Sequence, residues 1–325
     1  MSAAMPTNKP IFVVGSPRSG TSILTWCLGQ HPNILVLPES NWMGQFAVNV
    51  AMSYGVGTAR NDRTILSAMD VSPEEFFGVF GKSINDLILR HRLDLNRKRW
   101  RRAAGPTIPS HCFVPQYDVK TRWVDGTPEY SLHICGLRKL FPEAVFIHIL
   151  RDVRDVVRSM LNFHRVAGTR LVQNEQQAYT CWLRMVKACV QAEQAYGSEV
   201  VRRLSYTALI DDPEWAIRSL LDFVGEPYCA RCLEPLNRRI NSSNVPPDFV
   251  AEDPATDPQV VRDATNLYIK LQEVPQSAEA SSAVADEIEA AFTEQVQHMA
   301  TVVKQLHKAA QKIRTPEKQD SREHG

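Results

Sequence analysis

Apolar residues along the chain gather into short β-branched runs, each closed by a polar turn and followed by a stretch with helical spacing. Ile11–Val14 is the first run. It stops at Gly15, and after a turn rich in Gly, Ser and Thr the residues from Ile23 to Leu28 read as a helix. Ile34 to Leu37 reads as a second buried strand stopped by Pro38, with Glu39-Ser40-Asn41 emerging at its carboxyl end toward the first loop. From Arg122 the rhythm resumes: Trp123-Val124 as a strand, Glu129 to Leu140 as a helix, and Ala144 to Leu150 as a nearly all-apolar strand closed by Arg151. Asp152 to Phe163 and Gln176 to Tyr196 then read as helices and Val200 to Tyr206 as a strand. Asp212-Pro213 reads as the start of a helix through Phe223 that ends before Gly225. Apolar strands joined by helical crossovers predict an α/β fold with a P-loop-like central parallel sheet flanked by helices.

Two regions break the rhythm. Gly44 to Gln116 carries helical patterns at Pro73 to Phe80 and Ile84 to Arg92 and is expected to be an inserted helical cap (44–116). Its Arg97-Lys98-Arg99-Trp100-Arg101-Arg102 run suits either a solvated helix end or a phosphate contact. Beyond Arg238 comes a loop by composition, Asn241 to Pro247, then an irregular stretch to about Ser282. Ile288, Phe292, Val296, Met299, Val303 and Leu306 then recur at three- and four-residue steps, predicting a C-terminal helix over 282–313 that packs on the body or on a second subunit in a homodimer. Residues 314–325 read as a frayed tail, and no internal repeat is present. A chain of 325 residues with one sheet is expected to form a single domain.

Composition narrows the function by exclusion. With 44% hydrophobic residues and a formal charge of +1, the chain has an ordinary globular surface and not a nucleic-acid coat. Met1 to Pro10 has no apolar core of an export signal, and no stretch approaches the ~18 apolar residues of a membrane span, so the expected location is cytoplasmic. The seven cysteines are an odd set suited to reduced core thiols. Only Cys229 and Cys232 form a CxxC pair, and without further ligands nearby no zinc site is expected.

The chemistry concentrates in Gly15-Ser16-Pro17-Arg18-Ser19-Gly20-Thr21-Ser22, between the first strand and the first helix. A tight turn at a helix start aims unsatisfied backbone N–H groups and the positive end of the helix dipole at one point, where a phosphate fits. The spacing copies a Walker A loop, but Thr21 stands in the lysine's place and the cation has moved to Arg18, at the loop's rim. A second run, Phe146 to Met160, sends Arg151 out of a buried strand with Ser159 eight residues later on the next helix, so guanidinium and hydroxyl can converge on an anion.

Pro17-Arg18-Ser19-Gly20-Thr21-Ser22 resembles the first motif of the sulfotransferases that use 3′-phosphoadenosine-5′-phosphosulfate (PAPS). Together with Leu28 to Pro32 and Pro38-Glu39-Ser40, its wording is most similar to the tyrosylprotein sulfotransferase branch and its bacterial relatives. The resemblance covers about Lys9 to Val224, with the inserted segment from Gly44 to Gln116 and the end beyond Val245 largely outside it. It implies a sulfotransferase with PAPS as co-substrate and 3′-phosphoadenosine-5′-phosphate (PAP) as product, with no metal needed. It places Pro17 to Ser22 on the 5′-phosphate, Arg151 and Ser159 on the 3′-phosphate, and Tyr206 near the adenine, although Thr207 stands where an acidic residue is usual. Arg18 would neutralise charge on the bridging oxygen and Glu39 would take the acceptor's proton, with His31, His133, His148 and His164 as rival bases. The Asn241 to Asn244 loop would close over the nucleotide. The sequence departs from the family at Gly126, where many members carry lysine. Arg18 alone, or another cation such as Lys120 or Arg122, would have to serve, or the chemistry is impaired. The acceptor is expected to be a carbohydrate, lipid or small-metabolite hydroxyl. Alternative readings are a P-loop nucleotide kinase and a non-catalytic nucleotide-binding protein.

Overall fold

In the computed structural model, residues 9–60, 63–95, 120–237, 245–246 and 248–314 are described. Five parallel strands form the sheet: β1 (Ile11–Val14), β2 (Ile34–Val36), β3 (Arg122–Asp125), β4 (Val145–Leu150) and β5 (Val201–Ser205), in the order β2-β3-β1-β4-β5. The register pairs Ile11 with Val124 and Val145, and Val14 with His148. Successive side chains of a strand point to opposite faces, and β1 divides accordingly. Ile11 and Val13 pack with Leu24, Leu28, Ile217 and Leu221, whereas Phe12 and Val14 pack with Trp123, Phe146, Met43 and Phe77. Phe12 anchors that second face, stacked on Phe146 at 5.2 Å and edge-on to Trp123 at 5.4 Å.

The helices are α1 (Thr21–Leu28), α2 (Met43–Gly57), α3 (Ile65–Ala68), α4 (Pro73–Arg90), α5 (Ile134–Leu140), α6 (Val153–Leu161), α7 (His164–Ala167), α8 (Glu175–Tyr196), α9 (Tyr206–Asp211), α10 (Pro213–Val224), α11 (Pro258–Glu273) and α12 (Ser282–Arg314). α1 and α10 cover one face of the sheet, and α2, α4, α5 and α8 the other. The patterns read separately at Pro73 to Phe80 and Ile84 to Arg92 join in α4, whose start is capped by the Ser72 hydroxyl accepting from Glu75 N at 3.1 Å. Its Phe77, Ile84 and Leu89 are buried in the main core beside Leu140.

Three expectations are corrected. The stretch read as irregular before Ser282 contains the 16-residue α11. Only Ala264 and Leu271 of that helix are buried, so its apolar stripe is faint in the sequence. The helix expected over Glu129 to Leu140 is broken into a 3₁₀ turn, Pro128–Leu132, followed by α5. Tyr206, read as the end of a strand, opens α9. The Arg97 to Arg102 run, the Asn241 to Asn244 loop and residues 315–325 lie outside the described residues.

Candidate active site

At β1 the strand order reverses, with β3 and β2 on one side and β4 and β5 on the other. The crevice at the carboxyl ends of such a sheet is where α/β proteins hold ligands, and the Gly15 to Ser22 loop lies there. Gly20 precedes α1 at φ 113° with no side-chain cap, leaving the first-turn N–H groups of the helix uncapped by any side chain. A Cβ on Gly20 would lie 2.6 Å from the Tyr206 ring. Arg18 itself is left-handed at φ 71°, a strain of about 1–3 kcal/mol of the kind found at functional sites. Ser19 N donates to Ser16 O at 3.1 Å, and the buried Ser19 hydroxyl has no hydrogen-bond partner among the described residues. Ser131 clamps the loop's first residue: its hydroxyl accepts from Gly15 N at 2.9 Å and donates to Gly15 O at 3.0 Å. The sequence reading missed Ser131, which no spacing connects to Gly15.

The residues read as two separate anchors adjoin. Arg18 Nε donates to Ser159 Oγ at 3.1 Å, and its guanidinium lies 4.9 Å from the Phe163 ring. Arg151 Nη1 donates to Arg18 O at 3.3 Å, stacks over Tyr206 at 4.4 Å and pairs with Asp155 at 3.5 Å. Arg18, Arg151, Ser159 and Tyr206 therefore form one patch from the loop across to α6. Burial, and then the repulsion of Arg151, pull Arg18 below its ordinary pKa while Glu39 opposes the shift. Two cations and an open helix start in one place favour an anion.

Glu39 follows β2 with its side chain exposed to solvent, and its charge acts on Arg18. Desolvation, then the negative charges of Glu129 and Asp125, push its carboxyl above the usual range, against Arg18 and a hydrogen bond with Ser22. A buried network fixes the chain just after it. Ser40 N donates to Thr127 Oγ1 at 2.9 Å, Thr127 Oγ1 donates to Asp125 Oδ1 at 2.6 Å, and Thr127 N donates to the same oxygen at 2.9 Å. The Ser40 hydroxyl pairs with the Tyr130 hydroxyl, which also accepts from Met43 N at 3.1 Å. Asp125, Thr127 and Tyr130 were not singled out from sequence. The only cue was their place around Gly126, at the carboxyl end of a strand.

Gly126 is tightly packed: a Cβ there would lie 2.1 Å from Thr25 Oγ1 of α1, so Thr25 would have to turn aside. The substitute cations considered from sequence do not reach the site. Lys120 donates to His31 O and Ile34 O, and Arg122 to Lys9 O and Val224 O, all at the amino ends of the strands. His31 sits at that same end beside Pro227 and Glu226. His148 is buried in β4 against Glu193, which Arg203 also grips at 2.7 Å. His133 packs against Gly44, and His164 against Leu161 O at 3.1 Å.

A family model described as "Sulfotransferase family" matches residues 10–229, spanning the sheet, the loop and the patch. The chain belongs to the sulfotransferase family. A putative protein-tyrosine sulfotransferase of Caenorhabditis briggsae is 24% identical over 224 residues, which are 69% of this chain and 68% of that protein. Human protein-tyrosine sulfotransferase 1 is 23% identical over 219 residues, 67% of this chain and 51% of that protein. The chain thus spans about half to two thirds of the length of these two relatives. Among solved structures, the sulfotransferase domain of the Synechococcus PCC 7002 olefin synthase is similar with a TM-score of 0.43 and 17% identity, covering 89% of this chain and 96% of that one. No helix among the described residues is long and apolar enough to cross a membrane.

Proposed function

We propose that this sulfotransferase-family chain moves the sulfuryl group of PAPS to an acceptor hydroxyl. The observation that carries this reading is the patch of Arg18, Arg151, Ser159 and Tyr206 beside an open helix start, with the charge of Glu39 acting on Arg18. In this reading the N–H groups of Gly20 to Ser22 hold the 5′-phosphate, and Arg151 with the Ser159 hydroxyl holds the 3′-phosphate. Tyr206, already stacked by Arg151, borders the adenine. Arg18 exchanges its hydrogen bond to Ser159 for the nucleotide and balances charge on the phosphate oxygen that leaves sulfur.

Transfer is an in-line displacement. The acceptor oxygen bonds to sulfur as the bond from sulfur to the bridging phosphate oxygen breaks, and the hydroxyl proton passes to Glu39. A base with a raised carboxyl pKa suits that proton better than an ordinary one. The acceptor is a carbohydrate, lipid or small-metabolite hydroxyl, and Gly126 requires Arg18 to serve without a lysine from that segment. The test is transfer of sulfur label from PAPS to a hydroxyl panel that also includes a tyrosine peptide, preceded by calorimetry with PAP and ATP. The glycine at 126, where many family members carry a lysine, favours one alternative, a nucleotide-binding protein without catalysis. Tight PAP binding with no labelled product would establish that alternative.

A further inference from the structure

The CxxC pair, which the proposed transfer does not use, lies past the phosphate-loop helix. Cys229 stands directly before the 3₁₀ segment Ala230–Asn237, and its carbonyl accepts from Cys232 N at 3.0 Å. That is the i→i+3 bond of a 3₁₀ turn, in which side chains three apart eclipse one another. The two thiols therefore share one edge of the turn. One helical turn also gives the Cα separation of about 4.4–6.8 Å that a disulfide needs. Cys229 is half-buried and Cys232 buried, with Cys27 of α1 buried in the same apolar cluster. No group of three or more metal-ligating side chains is found among the described residues. Cys232 also lies beyond the family match, which ends at residue 229.

We propose that Cys229 and Cys232 form a reversible disulfide within the chain when they meet a small disulfide oxidant such as oxidised glutathione. The half-exposed Cys229 reacts first: its thiolate attacks one sulfur of the oxidant, forming a mixed disulfide and releasing one glutathione thiolate. Cys232 then gives its proton to water and attacks the Cys229 sulfur, expelling the second glutathione thiolate. Two protein thiols lose two electrons in all, and one oxidant S–S bond becomes two thiols. Burial pushes the Cys232 thiol up to about 12, which slows the second step.

The experiment treats the full chain with oxidised glutathione and follows intact mass and non-reduced peptides over time. The expected record is a transient glutathione adduct, then loss of two hydrogens with a bond mapped between residues 229 and 232, reversed by dithiothreitol. Cys229→Ser, at the half-exposed position, removes both species, and Cys232→Ala leaves a stable adduct on Cys229; circular dichroism checks the fold of each. A wild-type adduct that persists without closing, or a bond joining Cys232 to Cys27, overturns the proposal.

Discussion

Gly126→Ala tests whether the space beside the phosphate-loop helix is as closed as the structure has it. The new Cβ would sit 2.1 Å from Thr25 Oγ1 and 3.1 Å from Thr25 Cβ. Thr25 could escape only by rotating its hydroxyl away from Thr21 O, where it now donates at 2.7 Å. Overpacking of this kind costs about 1–3 kcal/mol, and the lost buried hydrogen bond about 0.5–1.5 kcal/mol. Stiffening the unfolded chain returns only about 0.4–1 kcal/mol. The sign is therefore destabilising, by about 1–3 kcal/mol. Gly55 in α2 is the control, because nothing lies within 4 Å of its added Cβ. Gly55→Ala should stabilise by about 0.5–1 kcal/mol through helix propensity alone. Thr25→Ala combined with Gly126→Ala removes the obstructing oxygen and should recover at least about 1 kcal/mol over the sum of the single changes. Urea unfolding at constant m reads all four variants. A Gly126→Ala protein as stable as its parent, or a double variant that merely adds the single losses, would refute the packing argument and with it the reason no lysine stands there.

Glu39→Gln should remove at least about a hundredfold of turnover while PAP affinity measured by calorimetry is unchanged; turnover within threefold of the parent would end its role as base. With its carboxyl held above the usual range, kcat/KM should rise with pH through that raised value, because the base works only when deprotonated. An acid limb at an ordinary glutamate pKa would count against it. Thr127→Val cuts the link from Asp125 to Ser40 and should lower kcat about tenfold with little change in PAP affinity, read in steady-state kinetics. Burial raises the Glu193 pKa, but the interactions with His148 and Arg203 outweigh it and hold the carboxyl below its ordinary value. Its stabilisation is present above the unfolded pKa and lost as pH falls through the folded one. Glu193→Gln should cost about 1–3 kcal/mol at neutral pH by leaving the half-buried Arg203 without its anion, and the gap from the parent should narrow in acid unfolding.

Much of the fold was legible because the signals were local. The β1 and β4 runs are almost wholly apolar and so read directly as strands, and Asp212-Pro213 announced α10, where the Asp212 side chain accepts from Trp215 N at 3.1 Å. The same Asp-Pro signature at Asp257-Pro258 starts α11, with Asp257 accepting from Gln259 N at 2.8 Å. It was passed over because the helix behind it buries only two residues. At the site, loop and strand-end motifs carried Arg18, Glu39, Arg151 and Ser159. What stayed hidden was long-range: Ser131 clamping Gly15 across 116 residues, Thr127 reaching Ser40 across 87, and Gly126 meeting Thr25. Such partners are set by strand order, which the sequence did not reveal. For the same reason Lys120 and Arg122, near Gly126 in sequence, stand at the wrong end of β3 to replace a lysine there.

The central claim is that one patch holds a nucleotide bearing both a 5′- and a 3′-phosphate. Its most direct test is calorimetry of PAP and of adenosine 5′-monophosphate against the parent and Arg151→Ala. A charge-assisted hydrogen bond to the 3′-phosphate is worth about 1.5–3 kcal/mol, so the substitution should weaken PAP about ten- to a hundredfold and leave the monophosphate nearly unchanged. Equal losses for both nucleotides, or ATP binding the parent more tightly than PAP, would contradict it.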